Sequence, residues 1–236
     1  MRLFFTLLFT IFALNSTNSQ TKVLIFCETD GFVHDSIEAG IQALQQLGRQ
    51  DNFQTVVSRD SRFFLENDLD QYDLIIFLNT TGDILNPEEQ MQFQNYMDNG
   101  GNFFGIHSAA DTEYDWKWYG DLVGAYFDGH PEVQQAEIIV EMPDHVTVEH
   151  LPRNWERTDE WYNYKNINKG LNVLLSLNED SYEGGKNGNF HPIAWYQNYI
   201  AGGKAVYTGL GHTIESYSES NFLEHLSRCI SFAVSG

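Results

Sequence analysis

The stretch DLIIFLNTTGDILNPEEQMQFQNYMDNGGNFFGI, residues 73–106, reads as strand, helix, strand. Asp73 to Leu78 is a short continuous apolar run, the pattern of a strand buried on both faces. The helix that follows is well punctuated: Asn86 caps it, Pro87 takes its first position, Glu89 closes a capping box and Gly100-Gly101 stops it. Asn102 to Ile106 is apolar again and supplies the second strand.

Toward the N-terminus, Lys22 to Phe26 and Phe53 to Val57 read as two further strands. Between them a helix is expected, capped by Asp35 with Glu38 three residues on, carrying Ile37, Ile41, Leu44 and Leu47 at helical spacing and ending at Gly48. Toward the C-terminus, residues 111–169 break the rhythm; they are rich in Tyr and Trp and offer one strand candidate, Ala136 to Glu141. Regularity returns with strands at Val173 to Leu177, His191 to Tyr196 and Gly203 to Thr208, and with a final helix from about Ser218 to Val234. Glu183 to Asn189 is a glycine-rich surface loop. Strands alternating with helices imply right-handed crossovers. The expected architecture is α/β, a doubly wound, mostly parallel sheet with helices on both faces.

Arg2, the apolar run of about 12 residues from Leu3 to Leu14 and the small polar stretch Asn15 to Ser19 have the layout of a cleaved secretory signal. The run is shorter than the roughly 20 residues a membrane helix needs, so no membrane span is expected. Residues 1–19 are therefore read as a signal peptide and 20–236 as one domain, secreted or periplasmic. No cysteine stands at the cleavage region, which argues against a lipid anchor. The formal charge of −20 is spread along the chain, which argues against nucleic acid as a partner and fits neutral or cationic small molecules. In an exported chain Cys27 and Cys229 could pair as a disulfide, but both fall at core-facing positions and are read as buried free thiols.

Ligands of open α/β sheets bind beyond the carboxyl ends of the strands. His34, His107 and His212 each follow a strand of the expected sheet, and they converge if those strands are neighbours. Gly105-Ile106-His107-Ser108-Ala109-Ala110-Asp111 has the layout of a nucleophile elbow, with small residues flanking an exposed one. A histidine at that exposed position can act as base, acid or metal ligand, whereas covalent acyl chemistry would need Ser or Cys there. Ser108 is expected to be buried. No Gly-x-Gly-x-x-Gly follows the first strand, which disfavours a nicotinamide enzyme.

Gly31 to Ile37, Gly105 to Asp111, Gly124-Ala125-Tyr126-Phe127-Asp128-Gly129-His130-Pro131, Asp159-Glu160-Trp161-Tyr162 and Tyr207 to His212 together resemble the ThuA-like proteins, named for trehalose utilisation. The resemblance runs over nearly all of the chain from Thr21 onward, in the expected order. It implies a flavodoxin-like sheet of the class I glutamine amidotransferase type, and it associates the chain with carbohydrate processing. Where the amidotransferases carry a cysteine, this chain has His107, and Glu215 stands at the wrong spacing from His212 for their His-x-Glu pair. Amidotransferase activity is accordingly not expected.

Asp111 lies four residues past His107, where a helix would place both on one face, and is expected to orient it. Glu160 is expected to contact substrate hydroxyls. One reading is a divalent metal site, zinc or a similar first-row ion, on His34, His107 and His212 with Asp111 or Glu160. The other is metal-free acid–base catalysis by a histidine and a carboxylate on opposite sides of a sugar. No His-Glu-x-x-His motif is present to favour the metal. His130 precedes a proline, which holds it extended and can aim its ring into the pocket. His191, at the start of a strand, reads as plain loop chemistry, and His145, His150 and His225 as surface residues.

Tyr114, Trp116, Trp118, Tyr119, Trp155, Trp161, Tyr162 and Tyr164 crowd the irregular middle segment, either as a stacking platform for sugar rings or as filling beneath an insertion. Trp161 and Tyr162, beside Glu160, are the best candidates for substrate contact, together with His34 and His130. The expected function is therefore a carbohydrate-processing enzyme using His107, Asp111 and Glu160. The alternative is a noncatalytic sugar-binding protein on the same scaffold.

Overall fold

A computed structural model of the chain describes residues 20–199 and 201–235; the expected signal segment, residues 1–19, lies outside them. The elements are β1 Lys22–Phe26, α1 Ile37–Asp51, β2 Gln54–Ser58, α2 Phe63–Glu66, β3 Leu74–Leu78, α3 Pro87–Asp98, β4 Phe103–Ile106, α4 Lys117–Val123, β5 Tyr126–Phe127, β6 Gln134–Val140, β7 Asn154–Asp159, β8 Tyr164–Lys165, β9 Asn172–Leu177, β10 His191–Asn198, β11 Lys204–Thr208 and α5 Ser220–Val234. The main sheet has nine strands in the order β2-β1-β3-β4-β11-β10-β9-β6-β7.

From β2 through β11 every neighbouring pair is parallel. This half has the flavodoxin-like order and carries the helices, as the alternation of strands and helices requires. Its central strand β3 is buried along its whole length, and its alternate side chains feed opposite layers. Phe77 stacks on Phe93 of α3 at 5.1 Å, while Leu78 meets α1 on the other side, so close that a Cβ at Gly40 would lie 3.0 Å from it. From β11 onward the pairs are antiparallel, extending the sheet through β10, β9, β6 and β7.

The box at the start of α3 forms as expected: Asn86 accepts from the amides of Glu88 and Glu89, and Glu89 returns a bond to the Asn86 amide. The ends of α1 differ from expectation. Ser36, not Asp35, stands at its N-cap, without a side-chain capping bond, and the helix passes Gly48 to close at left-handed Asn52. Gly48 serves a different purpose, because a Cβ there would lie 2.8 Å from the Phe53 carbonyl as the chain doubles back into β2. A strand unforeseen in the sequence, β7, holds the sheet edge. Its inward residues are Trp155, Arg157 and Asp159, so the usual apolar alternation is masked by a buried ion pair. Cys27 and Cys229 are buried free thiols. Among the described residues, no helix is long and apolar enough to cross a membrane.

Candidate active site

Strands β1, β3, β4 and β11 lie side by side, so the loops at their carboxyl ends open onto one place. His34 follows β1, His107 follows β4 and His212 follows β11. The turn at His107 is sharp: the residue has φ 50°, a left-handed conformation that a non-glycine side chain adopts at a cost of about 1–3 kcal/mol. Small neighbours permit it, since a Cβ at Gly105 would lie 3.0 Å from Ala109 and 3.1 Å from Tyr207. The sharp turn foreseen in the sequence is thus present with an imidazole at its tip, but His107, expected to be exposed, is fully buried, as is Ser108 behind it.

The three rings stand nearly perpendicular or steeply inclined to one another, with centroids 5.0, 5.1 and 5.2 Å apart. Glu160, delivered by the end of β7, completes the group, and one ligand atom from each of the four residues lies within 4.8 Å of all the others. His107 Nδ1 is 2.9 Å from the Gly209 carbonyl, which can only accept, so Nδ1 carries a proton and Nε2 is turned into the site. Nε2 faces Glu160 Oε2 at 3.4 Å and His212 Nδ1 at 3.3 Å, while Oε2 and His212 Nδ1 are 3.2 Å apart. Two electron-rich atoms at this separation are stable only around a shared cation, either a proton or a metal ion. For Zn²⁺, ligand bonds of about 2.0–2.2 Å imply tetrahedral edges of roughly 3.3–3.5 Å, close to the three separations found.

Burial, reinforced by the neighbouring His107 and His212, lowers the His34 pKa to about 2, so this ring stays neutral with a lone pair to offer. Burial works to raise Glu160, but the hydrogen bonds from His107 and His212 outweigh it and hold the carboxylate well below its ordinary range. Burial likewise opposes protonation of His212, and Glu160 reverses the effect and raises its pKa. His130 adds its Nδ1 at 3.0 Å from the second Glu160 oxygen.

His34, Glu160, His212 and His130 line a cavity of about 260 Å³ with Phe32, Asp111, Phe127 and Tyr162, while His107 is fully buried behind them. Tyr162 packs its ring 4.2 Å from that of His107 and 4.3 Å from that of Phe127, giving the cavity one aromatic wall. A roomier hollow between α1 and α5 contains no histidine and no comparable convergence of donors.

His34, His107, Glu160, His212, His130, Tyr162 and Asp111 are thus brought together as the sequence anticipated, but several roles differ. Asp111 does not orient His107, a task that falls to the Gly209 carbonyl. Residues 107–111 form a 3₁₀ turn rather than an α-helix, and at three residues per turn i and i+4 no longer superpose. Asp111 instead accepts from Tyr114 Oη at 2.5 Å and faces the cavity, where burial raises its pKa. Glu160 is engaged with histidines rather than left free for hydroxyls.

Trp161 is fully buried and donates Nε1 to the Gln134 carbonyl at 2.9 Å, so it contacts no substrate; as the residue after Glu160 it turns to the opposite side. Trp155, Tyr119 and Tyr164 are likewise buried filling, and Trp116 and Trp118 pack against the core. His191 and His225 are fully buried, not loop or surface residues. His191 supports Tyr162 through a 2.7 Å contact with its carbonyl, and His225 contacts the Thr147 carbonyl at 3.1 Å. His145 and His150 are half-buried. Phe32 and Phe127 carry no site assignment from the sequence; their signal there is membership of the blocks that contain His34 and His130.

A family model for ThuA, trehalose utilisation, matches residues 22–233. Among solved structures, a ThuA-like protein from Bacteroides uniformis is 24% identical with a TM-score of 0.77, covering 94% of this chain and 95% of that one. A ThuA-like protein from Parabacteroides merdae is 17% identical, also with a TM-score of 0.77, covering 92% and 91%. PurLQS from Thermotoga maritima, at 11% identity and a TM-score of 0.53, covers 91% of this chain and 99% of its own, and is similar in fold alone. Curated proteins yield no match. With the family pattern spanning both halves of the sheet and every residue of the histidine cluster, the chain belongs to the ThuA family.

Proposed function

We propose that this chain is an exported carbohydrate-processing enzyme acting on a sugar or oxidised sugar derivative by metal-assisted acid–base chemistry. The observation that carries the proposal is the triangle of His107 Nε2, His212 Nδ1 and Glu160 Oε2, with sides of 3.2–3.4 Å and a neutral His34 beside it. Imidazoles with one carboxylate suit zinc or a neighbouring first-row ion. His34, His107, His212 and Glu160 would hold it, and a bound ion there polarises an oxygen or lowers the pKa of water. The Gly209 carbonyl fixes the donor direction of His107, the supporting contact expected of a ligating histidine. Asp111, elsewhere on the cavity wall with its pKa raised, is suited to take and return a proton at a sugar carbon or hydroxyl. Tyr162 and Phe127 offer faces on which an apolar sugar face can rest.

Elemental analysis of protein purified without chelator tests this reading, with His107→Ala and His212→Ala alongside. Near-stoichiometric metal lost in both variants supports it, and a metal-free wild type sinks the metal. The aromatic wall also favours a second reading, a noncatalytic sugar-binding protein. The two separate on His107→Ala, which removes turnover and spares sugar binding in an enzyme, whereas a binding protein turns over no sugar at all. Export rests on Arg2 and the Leu3–Leu14 run, and N-terminal sequencing of the protein recovered outside the cytoplasm checks it.

A further inference from the structure

Next to Glu160 stands a carboxylate that never reaches the cavity. Asp159 is fully buried at the end of β7, in the antiparallel half of the sheet, yet most of its partners belong to the loop after β11 in the parallel half. Its Oδ2 accepts from the Gly211 amide at 2.8 Å and from Ser216 Oγ at 3.3 Å. Its Oδ1 accepts from the amides of Glu160 and His212, each at 3.1 Å, and of Thr213 at 3.4 Å. Arg157, also buried, places its Nη2 3.2 Å from Oδ2 and compensates the charge. The Gly211 peptide is gripped from the other side too, its carbonyl accepting from Ser36 Oγ and from Asn79 Nδ2, each at 3.2 Å.

We propose that Asp159 is a positioning residue, the clamp that sets Glu160 and His212 at the mutual distance the cluster needs. The inference rests on the metal-site reading only for its affinity readout. The two residues follow strands, β7 and β11, that are separated in the sheet by β10, β9 and β6. Without a direct tie, the 3.2 Å separation of Glu160 Oε2 and His212 Nδ1 would depend on the summed geometry of all those pairings. One carboxylate that binds the amides of both removes that slack. An asparagine cannot replace it, because both oxygens accept from N–H groups; wherever the amide nitrogen goes, donor meets donor.

The test compares wild type with Asp159→Asn and the milder Ser216→Ala, measuring Zn²⁺ affinity by chelator competition and amide exchange of residues 209–214 in metal-free protein. Asp159→Asn is expected to weaken Zn²⁺ binding by about 10–100-fold. It should also speed exchange at Gly211 and His212 at least about tenfold, as expected where a local closing bond is lost. Wild-type Zn²⁺ affinity in folded Asp159→Asn overturns the proposal even if the melting temperature falls, because a merely structural residue behaves that way. If Asp159→Asn does not fold, Ser216→Ala decides: severalfold weaker binding supports the clamp, and unchanged binding with unchanged exchange overturns it. If wild type binds no Zn²⁺, the metal reading fails by itself, and exchange at Gly211 and His212 alone decides on Asp159.

Discussion

Protonation of His34 provides a quantitative handle on the site. In the unfolded chain its pKa is about 6.5, whereas in the folded protein burial and its two histidine neighbours bring it to about 2. A histidine depressed in the folded state binds its proton more tightly when unfolded, so stability rises with pH across the window from about 2 to 6.5 and is level above it. At pH 5 the unfolded His34 is almost wholly protonated and the folded one is not; 1.5 pH units below 6.5, at 1.36 kcal/mol each, make about 2 kcal/mol. His34→Gln keeps a polar side chain near Ser108 and removes this titration. Urea melts at pH 5.0 and 7.5, in chelator, should therefore show the wild type losing about 2 kcal/mol more than the variant on acidification. Equal losses in both proteins would refute the claim that His34 is held neutral by its surroundings.

Three other outcomes follow from particular contacts. Gly211 has φ +109° and a Cβ there would lie 2.8 Å from Tyr217 Oη, so Gly211→Ala should cost at least about 1–3 kcal/mol in denaturant melts and displace His212, lowering metal content with it. Phe77 is fully buried against Phe93, Phe103 and Tyr119, and Phe77→Ala should cost about 3–5 kcal/mol without altering the metal stoichiometry of whatever protein remains folded. Asp111→Asn should retain metal and lower turnover by about 10²–10⁴-fold on any sugar the wild type converts, and unchanged turnover would remove Asp111 from the chemistry.

The parallel half of the molecule was legible because its signals are local. Leu74–Leu78 must be buried wherever it goes, and Asn86, Pro87 and Glu89 define a helix start by bonds within one turn. The position of each histidine in the segment that follows a strand was equally local, and it sufficed to bring His34, His107 and His212 together once strand adjacency followed. Roles within the site were not legible to the same degree. Helical spacing assigned Asp111 to His107, but a 3₁₀ turn separated them and a carbonyl from another strand took the task. Neighbouring positions made Trp161 look as much a part of the cavity as Tyr162, until the turn of the chain after β7 sent it into the core.

What the sequence alone determined is the strands and main helices of the parallel half and the end of the sheet at which the polar residues gather, since periodicity and capping act over a few residues. What only the tertiary structure decided is the antiparallel edge, where β7 hides its strand pattern behind a buried Arg157–Asp159 pair, and through it the arrival of Glu160 among the histidines. The physical reason is that a buried charge is tolerable only beside its partner. Besides Arg157 and the Glu160 amide, the groups that satisfy Asp159 lie more than fifty residues away, on a loop that becomes its neighbour only when the sheet is complete.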